Sequence, residues 1–197
     1  MQQAIDFLKT KDETLKFILE HFGNPVIQIR EQGFAAMVHI ILEQQVSIAS
    51  SKACYLKLEN HYNAITPEKI IAASAEELRN CGVSRQKSSY LKDLASKVIS
   101  GTLDFSTFSS KSELEIRSEL LSVKGVGNWS IEVYLMFCLQ SQDIIPLGDI
   151  AIRHTIKELY GITTLDEMEK LSNKWQPYRT IASYILWHYY LKKRKKI

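Results

Sequence analysis

The sequence of 197 residues contains few helix-breaking residues and few cysteines. Its eight glycines and four prolines predict a mostly helical chain, because these two residues disfavour helix interiors most strongly. Cys54, Cys81 and Cys138 are scattered without CxxC spacing, so we expect no disulfide framework, zinc site or iron–sulfur cluster, and a reducing compartment is favoured. The longest apolar run, Phe34 to Leu42, is interrupted by His39 and is much shorter than the roughly 20 residues that span a bilayer. The N-terminus also lacks the charged and apolar segments of a secretion signal. Membrane proteins, secreted mini-proteins and Cys-ligated metalloproteins are therefore not expected.

The chain lacks a strong overall charge. Its 25 Lys and Arg residues against 22 Asp and Glu residues give a formal net charge of +3. Five of these bases lie in the last six residues, 192–197, and without them 20 bases face 22 acids. A global basic field therefore does not indicate nucleic-acid binding, and any such contact must come from local features. We expect the basic tail at 192–197 to be a solvated end or a nonspecific phosphate-binding arm.

Apolar residues at helical spacing and local capping signals predict nine or ten helices joined by short turns, with no strand pairs. Helices are expected, for example, over Asp12 to Phe22 and over Phe34 to Val46. Ser74 and Glu77 have the spacing of a capping box at the start of another helix. The expected fold class is all-α, and the chain length allows one medium domain or two small lobes.

The most distinctive segment runs from Leu120 to Ser130 and contains Gly125 and Gly127 between two predicted helices. Glycine permits positive φ and, without a Cβ atom, lets the backbone approach a ligand. Amides at the start of the second helix would form an anion site, while Val123 and Val126 would hold the turn on the core. This helix-hairpin-helix pattern predicts sequence-independent contact with the DNA backbone. The alternative is an ordinary turn between helices whose glycines serve steric needs.

Asp149 follows Gly148 at the predicted start of a helix, which is typical of an N-cap carboxylate. Arg153 lies four residues further on, so an ion pair that supports Asp149 is expected. A carboxylate at this position could also stabilise a developing cation or orient a water molecule. The segment alone favours the capping role.

Aromatic residues crowd the C-terminal half of the chain. Most are expected in the core, although two or three that line a cleft would form a box for flat, electron-poor rings. They are Trp129, Tyr134, Phe137, Trp175, Tyr178, Tyr184, Trp187, Tyr189 and Tyr190.

In combination, these features resemble the helix-hairpin-helix-GPD (HhH-GPD) superfamily of DNA glycosylases, most closely its 3-methyladenine DNA glycosylase II branch. The segment from Val123 to Cys138, followed by Pro146-Leu-Gly-Asp149, is similar to the signature of that branch. Glu43-Gln-Gln-Val-Ser47 resembles its QQ-x-S segment, and Cys81 to Ala95 resembles its G-[LV]-S-x-x-K-x-x-Y-L segment. The resemblance covers about residues 30 to 191.

The resemblance implies that Asp149 is the catalytic carboxylate of an enzyme that releases alkylated (N3- or N7-methylated) purines during base excision repair. The target nucleotide would be flipped into a pocket, where Asp149 stabilises an oxocarbenium-like sugar. Trp129 and Trp187 match aromatic positions of that pocket, and Tyr134 lies beside the position of a stacking tyrosine in some relatives. Gln45 matches the residue that fills the gap left by the flipped base, and its alternative role is a solvated helix end.

Position 129 also distinguishes this chain from the bifunctional branches, where a lysine two residues after the second hairpin glycine attacks the sugar. Trp129 occupies that position, so base excision without strand cleavage is implied. The sequence shows no Cys-rich segment like that of the iron–sulfur branches, and at this length we expect no N-terminal β domain of the kind that some members carry. We therefore expect no cofactor, neither an iron–sulfur cluster nor zinc.

The implied architecture is two helical lobes with DNA between them, a hairpin lobe over about 48–140 and another lobe from about 1–47 plus 141–191. The expected partner is damaged double-stranded DNA, bound by a monomer without a membrane, in the cytoplasm and nucleoid of a bacterium or in the nucleus of a eukaryote. The expected DNA contacts, besides Gln45, are Val123, Lys124, Gly125, Val126, Gly127, Arg85 and Lys87. No side chain is expected to bind a metal, although the hairpin carbonyls could hold a monovalent cation.

Two alternatives remain open. The same chemistry could act on deaminated or exocyclic-adduct bases. The chain could also be a catalytically silent DNA-binding module that keeps the hairpin and uses Asp149 only as a cap.

Overall fold

A computed structural model describes residues 1–194 of the chain, and helices account for all of the regular structure in this range. The expected all-α fold class is confirmed, with no strand among the described residues. Lys195 to Ile197 of the basic tail lie outside the described range. The α-helices are α1 (Gln2–Lys11), α2 (Glu13–Phe22), α3 (Phe34–Glu43), α4 (Ile48–Tyr62), α5 (Pro67–Ala72), α6 (Ala75–Asn80), α7 (Arg85–Ile99), α8 (Glu113–Leu121), α9 (Asn128–Phe137), α10 (Ile150–Tyr160), α11 (Leu165–Ser172) and α12 (Arg179–Lys193). Two 3₁₀ helices cover Phe105–Ser110 and Asn173–Trp175.

Capping residues set most helix starts, as expected from the sequence. The capping box of Ser74 and Glu77 is present at α6. Asp12 caps α2 by accepting hydrogen bonds from two backbone amides, and α1, which was not expected, precedes it. Helix α3 ends at Glu43 rather than near Val46, because Gln44 already leaves the helical conformation (ψ 125°) and Gln45 follows in the left-handed one (φ 56°).

The chain forms two compact units. The terminal unit contains residues 1–29 and 135–194, and its core is formed mainly by α1, α2, α10 and α12. A buried polar anchor lies in this core, where the Asp12 carboxylate accepts hydrogen bonds from the Tyr160 hydroxyl and from Trp175 Nε1, each at 2.9 Å. These contacts fix α10 and the segment before α12 to the N-terminal helices.

The middle unit contains Arg30–Tyr134. Helix α7 is its central element, because α3, α5 and α6 all pack against it. Residues 30–47, expected in the other lobe, belong here because α3 packs on α4 and α7. The unit ends at Tyr134, inside α9, rather than near residue 140. None of the helices within residues 1–194 is long and apolar enough to cross a membrane.

Candidate active site and nucleic-acid interface

Asp149 is the N-cap of α10 in the terminal unit, as the sequence predicts. Its Oδ1 atom accepts hydrogen bonds from the amides of Ala151 (2.8 Å) and Ile152 (3.1 Å). The same oxygen accepts a third hydrogen bond from Trp187 Nε1 at 3.0 Å. Three donors, two of them at the positive end of a helix, therefore hold a half-buried carboxylate in one orientation.

Trp187 connects this carboxylate to an aromatic cluster. Its ring packs edge-on against Phe137 (5.9 Å between centroids) and Tyr184 (5.8 Å). The rings of Phe137 and Tyr184 are themselves stacked at 5.8 Å. The rings of Phe137 and Tyr184 are buried, whereas the indole of Trp187 is half-buried. The indole is therefore held both by these two rings and by the hydrogen bond of its N–H group. Trp187 is thus in direct contact with the candidate catalytic carboxylate.

Arg153 does not support Asp149 in the way that the sequence suggested. It forms no ion pair with any described residue, and its exposed side chain lines a surface pocket with Ile150 and Lys157. The Asp149 Oδ1 atom instead accepts hydrogen bonds from the two cap amides and Trp187 Nε1. The expected role of Arg153 as partner of Asp149 is therefore wrong in this structure.

The hairpin, residues 122–127, connects α8 to α9 in the middle unit. Val123 and Val126 are 2% and 6% exposed, so they hold the turn on the core and can meet a ligand only through their backbones. Gly125 has a φ of 77°, and a Cβ atom there would lie 2.3 Å from the ring of Tyr90. Both the backbone conformation and the close packing of Tyr90 therefore require glycine at position 125.

The hairpin offers two backbone donors to a ligand. The amides of Gly125 and Gly127 lie in exposed residues and have no hydrogen-bond acceptor among residues 1–194. The amide of Lys124 is used internally, because it donates to Asp93 Oδ2 at 2.8 Å. The Lys124 side chain is exposed and stays a predicted phosphate contact. The hairpin thus has unpaired amides in exposed residues, which an anion site needs.

A loop at the end of α3, residues 44–47 (the wedge loop), lies against the hairpin within the middle unit. Gln44 Nε2 donates hydrogen bonds to the Gly125 carbonyl (2.9 Å) and to Ser130 Oγ (2.8 Å). Gln45 is exposed and makes no hydrogen bond with another described residue. The two neighbouring glutamines therefore have different environments. The side chain of Gln44 connects α3 to the hairpin by hydrogen bonds, whereas that of Gln45 is exposed to solvent.

Lys87 is also part of this arrangement rather than a free phosphate ligand. Its Nζ atom donates to the carbonyls of Leu42 (2.7 Å) and Gln44 (2.9 Å), which caps the C-terminus of α3. Burial lowers the pKa of its ammonium group. The expectation that Lys87 contacts DNA is therefore wrong in this structure, because its ammonium group already donates to these two carbonyls. Arg85, at the start of α7, is exposed and stays a predicted contact.

Tyr134 does not line a pocket. Its ring is fully buried, its hydroxyl accepts a hydrogen bond from the Gly33 amide (2.9 Å), and it packs against Phe105 and Phe108. Such a ring presents no surface to a base, so the expected pocket role is corrected to a core role. Trp129, one residue into α9, is half-buried and stays a pocket prediction.

One titratable group near Trp129 was missed at the sequence level. Glu132 lies one helical turn further along α9, with Arg117 Nη1 at 3.9 Å. Burial raises the pKa of its carboxyl to about 7, although Arg117 acts in the opposite direction. A mostly buried acid is invisible in a sequence without knowledge of the packing around it.

No group of three or more His, Cys, Asp or Glu side chains within residues 1–194 is arranged to hold a metal ion. One carbonyl of the hairpin, that of Gly125, already accepts the Gln44 amide. A monovalent cation at the remaining hairpin carbonyls and the absence of any cofactor stay predictions.

The helical fold, the hairpin and the capped aspartate together define a class of repair proteins. The chain belongs to the HhH-GPD superfamily of base excision DNA repair proteins, whose family model matches residues 38–177. The resemblance found in the sequence is confirmed.

Comparison with individual proteins shows which members of this superfamily the chain is similar to. The chain is 30% identical to the alkylbase DNA glycosidase-like protein mag2 of Schizosaccharomyces pombe over 78% of this chain and 76% of that protein. It is 28% identical to DNA-3-methyladenine glycosylase 1 of the same yeast, over 89% and 82% of the two chains. The solved S. pombe 3-methyladenine DNA glycosylase Mag1, in complex with abasic DNA, superposes with a TM-score of 0.87 over 99% of this chain and 97% of that chain, at 26% identity. The homologues of this chain are thus 3-methyladenine DNA glycosylases, which are enzymes of the N-glycosylase kind.

Proposed function

We propose that this protein is a monofunctional DNA glycosylase that hydrolyses the N-glycosidic bond of N3- or N7-alkylated purines in duplex DNA. The observation that carries the proposal is the fixed carboxylate of Asp149, held by two helix amides and by Trp187. A preorganised negative charge is what an oxocarbenium-like transition state requires, because its orientation needs no adjustment when positive charge develops on the sugar.

In this mechanism the damaged nucleotide leaves the base stack before reaction. As the bond to the base breaks, the bonding electrons go to the base and positive charge forms on the sugar, where Asp149 stabilises it. Water then adds to the sugar and loses a proton. An alkylated purine already carries a positive charge, so it departs as a neutral base without a strong general acid.

The same charge explains how such a base would be selected. Aromatic faces attract cations, and an indole does so most strongly. Trp187 is held by its hydrogen bond to Asp149 and by its aromatic neighbours, so its ring is preorganised for stacking. Trp129 is the second stacking residue of the proposal. Recognition of deaminated or exocyclic-adduct bases would lack this electrostatic contribution.

DNA binding in the proposal uses the middle unit. The free amides of Gly125 and Gly127 contact a phosphate group, and Gln45 enters the gap left by the flipped nucleotide. The protein would act as a monomer without a cofactor, in the compartment that holds the genome. Trp129 replaces the lysine that would form a Schiff base, so the abasic strand would stay intact.

The decisive experiment compares the wild type with Asp149→Asn on methylated duplex DNA. Asparagine caps helices about as well as aspartate, so the substitution removes the charge and keeps the cap. We expect release of free alkylated base to slow about 100-fold or more, with little change in the free energy of unfolding. Strand breakage without alkaline treatment would contradict the monofunctional assignment.

A silent DNA-binding module is the second candidate, because the capping hydrogen bonds of Asp149 are by themselves a sufficient structural role for this residue. It predicts that the wild type binds duplex DNA and releases no base from a panel of alkylated, deaminated and exocyclic-adduct substrates. Base release that survives Asp149→Asn would remove Asp149 from its catalytic role.

A further inference from the structure

One face of α10 carries an exposed basic cluster that the mechanism above does not use. Ile150, Arg153, His154 and Lys157 have the i, i+3, i+4, i+7 spacing of a single helix face. They line a shallow surface pocket of about 230 Å³, which Thr163 and Met168 complete. We refer to this face as the α10 basic face.

Its two strong cations are not neutralised by the protein. Arg153 and Lys157 are exposed and form no ion pair within residues 1–194, and no carboxylate lines the pocket. Glu158 on the same helix lies 3.6 Å from His154 Nδ1 but pairs with neither Arg153 nor Lys157. Tyr189 donates a hydrogen bond to it at 2.9 Å, and Lys193 forms an ion pair with it. The α10 basic face therefore keeps its positive charge.

A third cation extends this face. The Arg194 guanidinium stacks on the Tyr190 ring, 3.8 Å from its centroid, and its Nη2 atom lies 3.2 Å from His154 Nε2. Since guanidinium can only donate, His154 Nε2 is the acceptor in this contact. The end of α12 thus places positive charge beside α10.

The distribution of charge in the chain makes this cluster unusual. Residues 30–134, which include the hairpin, contain twelve Lys or Arg and twelve Asp or Glu residues. The middle unit therefore offers backbone donors but no net attraction for a polyanion. Residues 135–191 carry five Lys or Arg and six Asp or Glu residues, so the positive excess of the chain lies in the basic tail, of which Arg194 lies beside the α10 basic face.

We propose that the α10 basic face binds phosphate groups of the DNA backbone beside the target nucleotide. The proposal rests on the proposed function, because it takes duplex DNA as the partner. Asp149 is the N-cap of α10, and at 1.5 Å per residue Arg153 and Lys157 lie about 6 and 12 Å further along the helix axis. With about 3.4 Å of helix axis per nucleotide, this distance spans roughly two to four nucleotides. The contact is to flanking phosphates, so it adds affinity without sequence preference.

The test is the salt dependence of binding to undamaged duplex DNA by the full-length double variant Arg153→Gln/Lys157→Gln. Each phosphate contact adds about 0.9 to the slope of log affinity against log salt, so losing two should lower it by about 1.8. A change of this size corresponds to about 60-fold in affinity for a tenfold change in salt. Fluorescence anisotropy between about 50 and 200 mM salt measures the slope.

The matched control is Lys170→Gln/Lys174→Gln, which removes two charges from exposed lysines that do not line the pocket. It should keep the wild-type slope. An unchanged slope in the Arg153/Lys157 variant, or an equal decrease in the control, would overturn the proposal. A wild type that shows the expected slopes but releases no alkylated base would instead overturn the proposed function and leave the phosphate-binding face in place.

Discussion

Gln44 and Gln45 provide a sharp test of the structure, because they are adjacent residues of the same type with opposite environments. Gln44→Ala removes two hydrogen bonds, to the Gly125 carbonyl and to Ser130 Oγ. A neutral hydrogen bond contributes about 0.5 to 1.5 kcal/mol, so the variant should lose about 1 to 3 kcal/mol of the free energy of unfolding. Ser130 is 2% exposed, and its hydroxyl would lose this partner, which favours the upper half of that range.

Gln45→Ala is the matched control for stability. Its side chain is exposed and forms no hydrogen bond with another described residue, so the expected change is within about 0.5 kcal/mol. Gln45→Ala should nevertheless have the larger effect on activity, because Gln45 is the residue proposed to fill the gap in the DNA stack. Base release in a single turnover should slow more in Gln45→Ala than in Gln44→Ala at a temperature where both variants are folded.

Urea-induced unfolding followed by circular dichroism gives the stabilities, and release of radiolabelled base gives the rates. Equal stability of the two variants would refute the structural role of Gln44. A stable Gln45→Ala variant with wild-type base release on duplex DNA would refute the wedge role of Gln45.

Three further perturbations test separate parts of the site. Trp187→Phe keeps an aromatic ring but loses the hydrogen bond to Asp149. Because a hydrogen bond to a charged group contributes about 1.5 kcal/mol or more, base release in the same assay should slow at least about tenfold. Gly125→Ala should lower the free energy of unfolding by more than about 2 kcal/mol, whereas Gly127→Ala, with no atom within 4 Å of its added Cβ, should cost less than about 1 kcal/mol; equal losses would contradict the packing at the hairpin. Because burial raises the pKa of Glu132 to about 7, the folded state binds this proton more tightly than the unfolded chain, and stability is lost as pH rises from about 4.5 to 7. Glu132→Gln should remove this loss, so its stability relative to the wild type should increase by roughly 2 to 3 kcal/mol between about pH 5 and pH 8 in urea titrations.

The features that the sequence predicted correctly are local in the chain. The capping box at Ser74, the N-cap role of Asp149 and the buried valines of the hairpin each depend on residues within a few positions. Short-range geometry is enough to determine such features, since hydrogen-bonding reach and helical spacing are the same in any protein.

The features that it missed depend on contacts between distant residues. Lys87 is an expected DNA contact in the sequence, but tertiary packing places its ammonium on carbonyls more than 40 residues away along the chain. Tyr134 sits beside a pocket position in the motif, and only the packing of the middle unit shows its ring buried against Phe105 and Phe108. Motif matching transfers a position but not the direction in which its side chain points.

Asp149 shows that capping and the proposed catalysis are compatible roles of one residue. The helix amides that donate hydrogen bonds to the capping oxygen also fix the orientation of its charge, and Trp187 adds a third donor to the same oxygen. A flexible carboxylate would have to be oriented during each reaction, whereas one bound to a helix terminus is already oriented before the substrate arrives. The cap therefore supplies the preorganisation that the proposed chemistry needs, and in that proposal the catalytic role of Asp149 depends on its structural role.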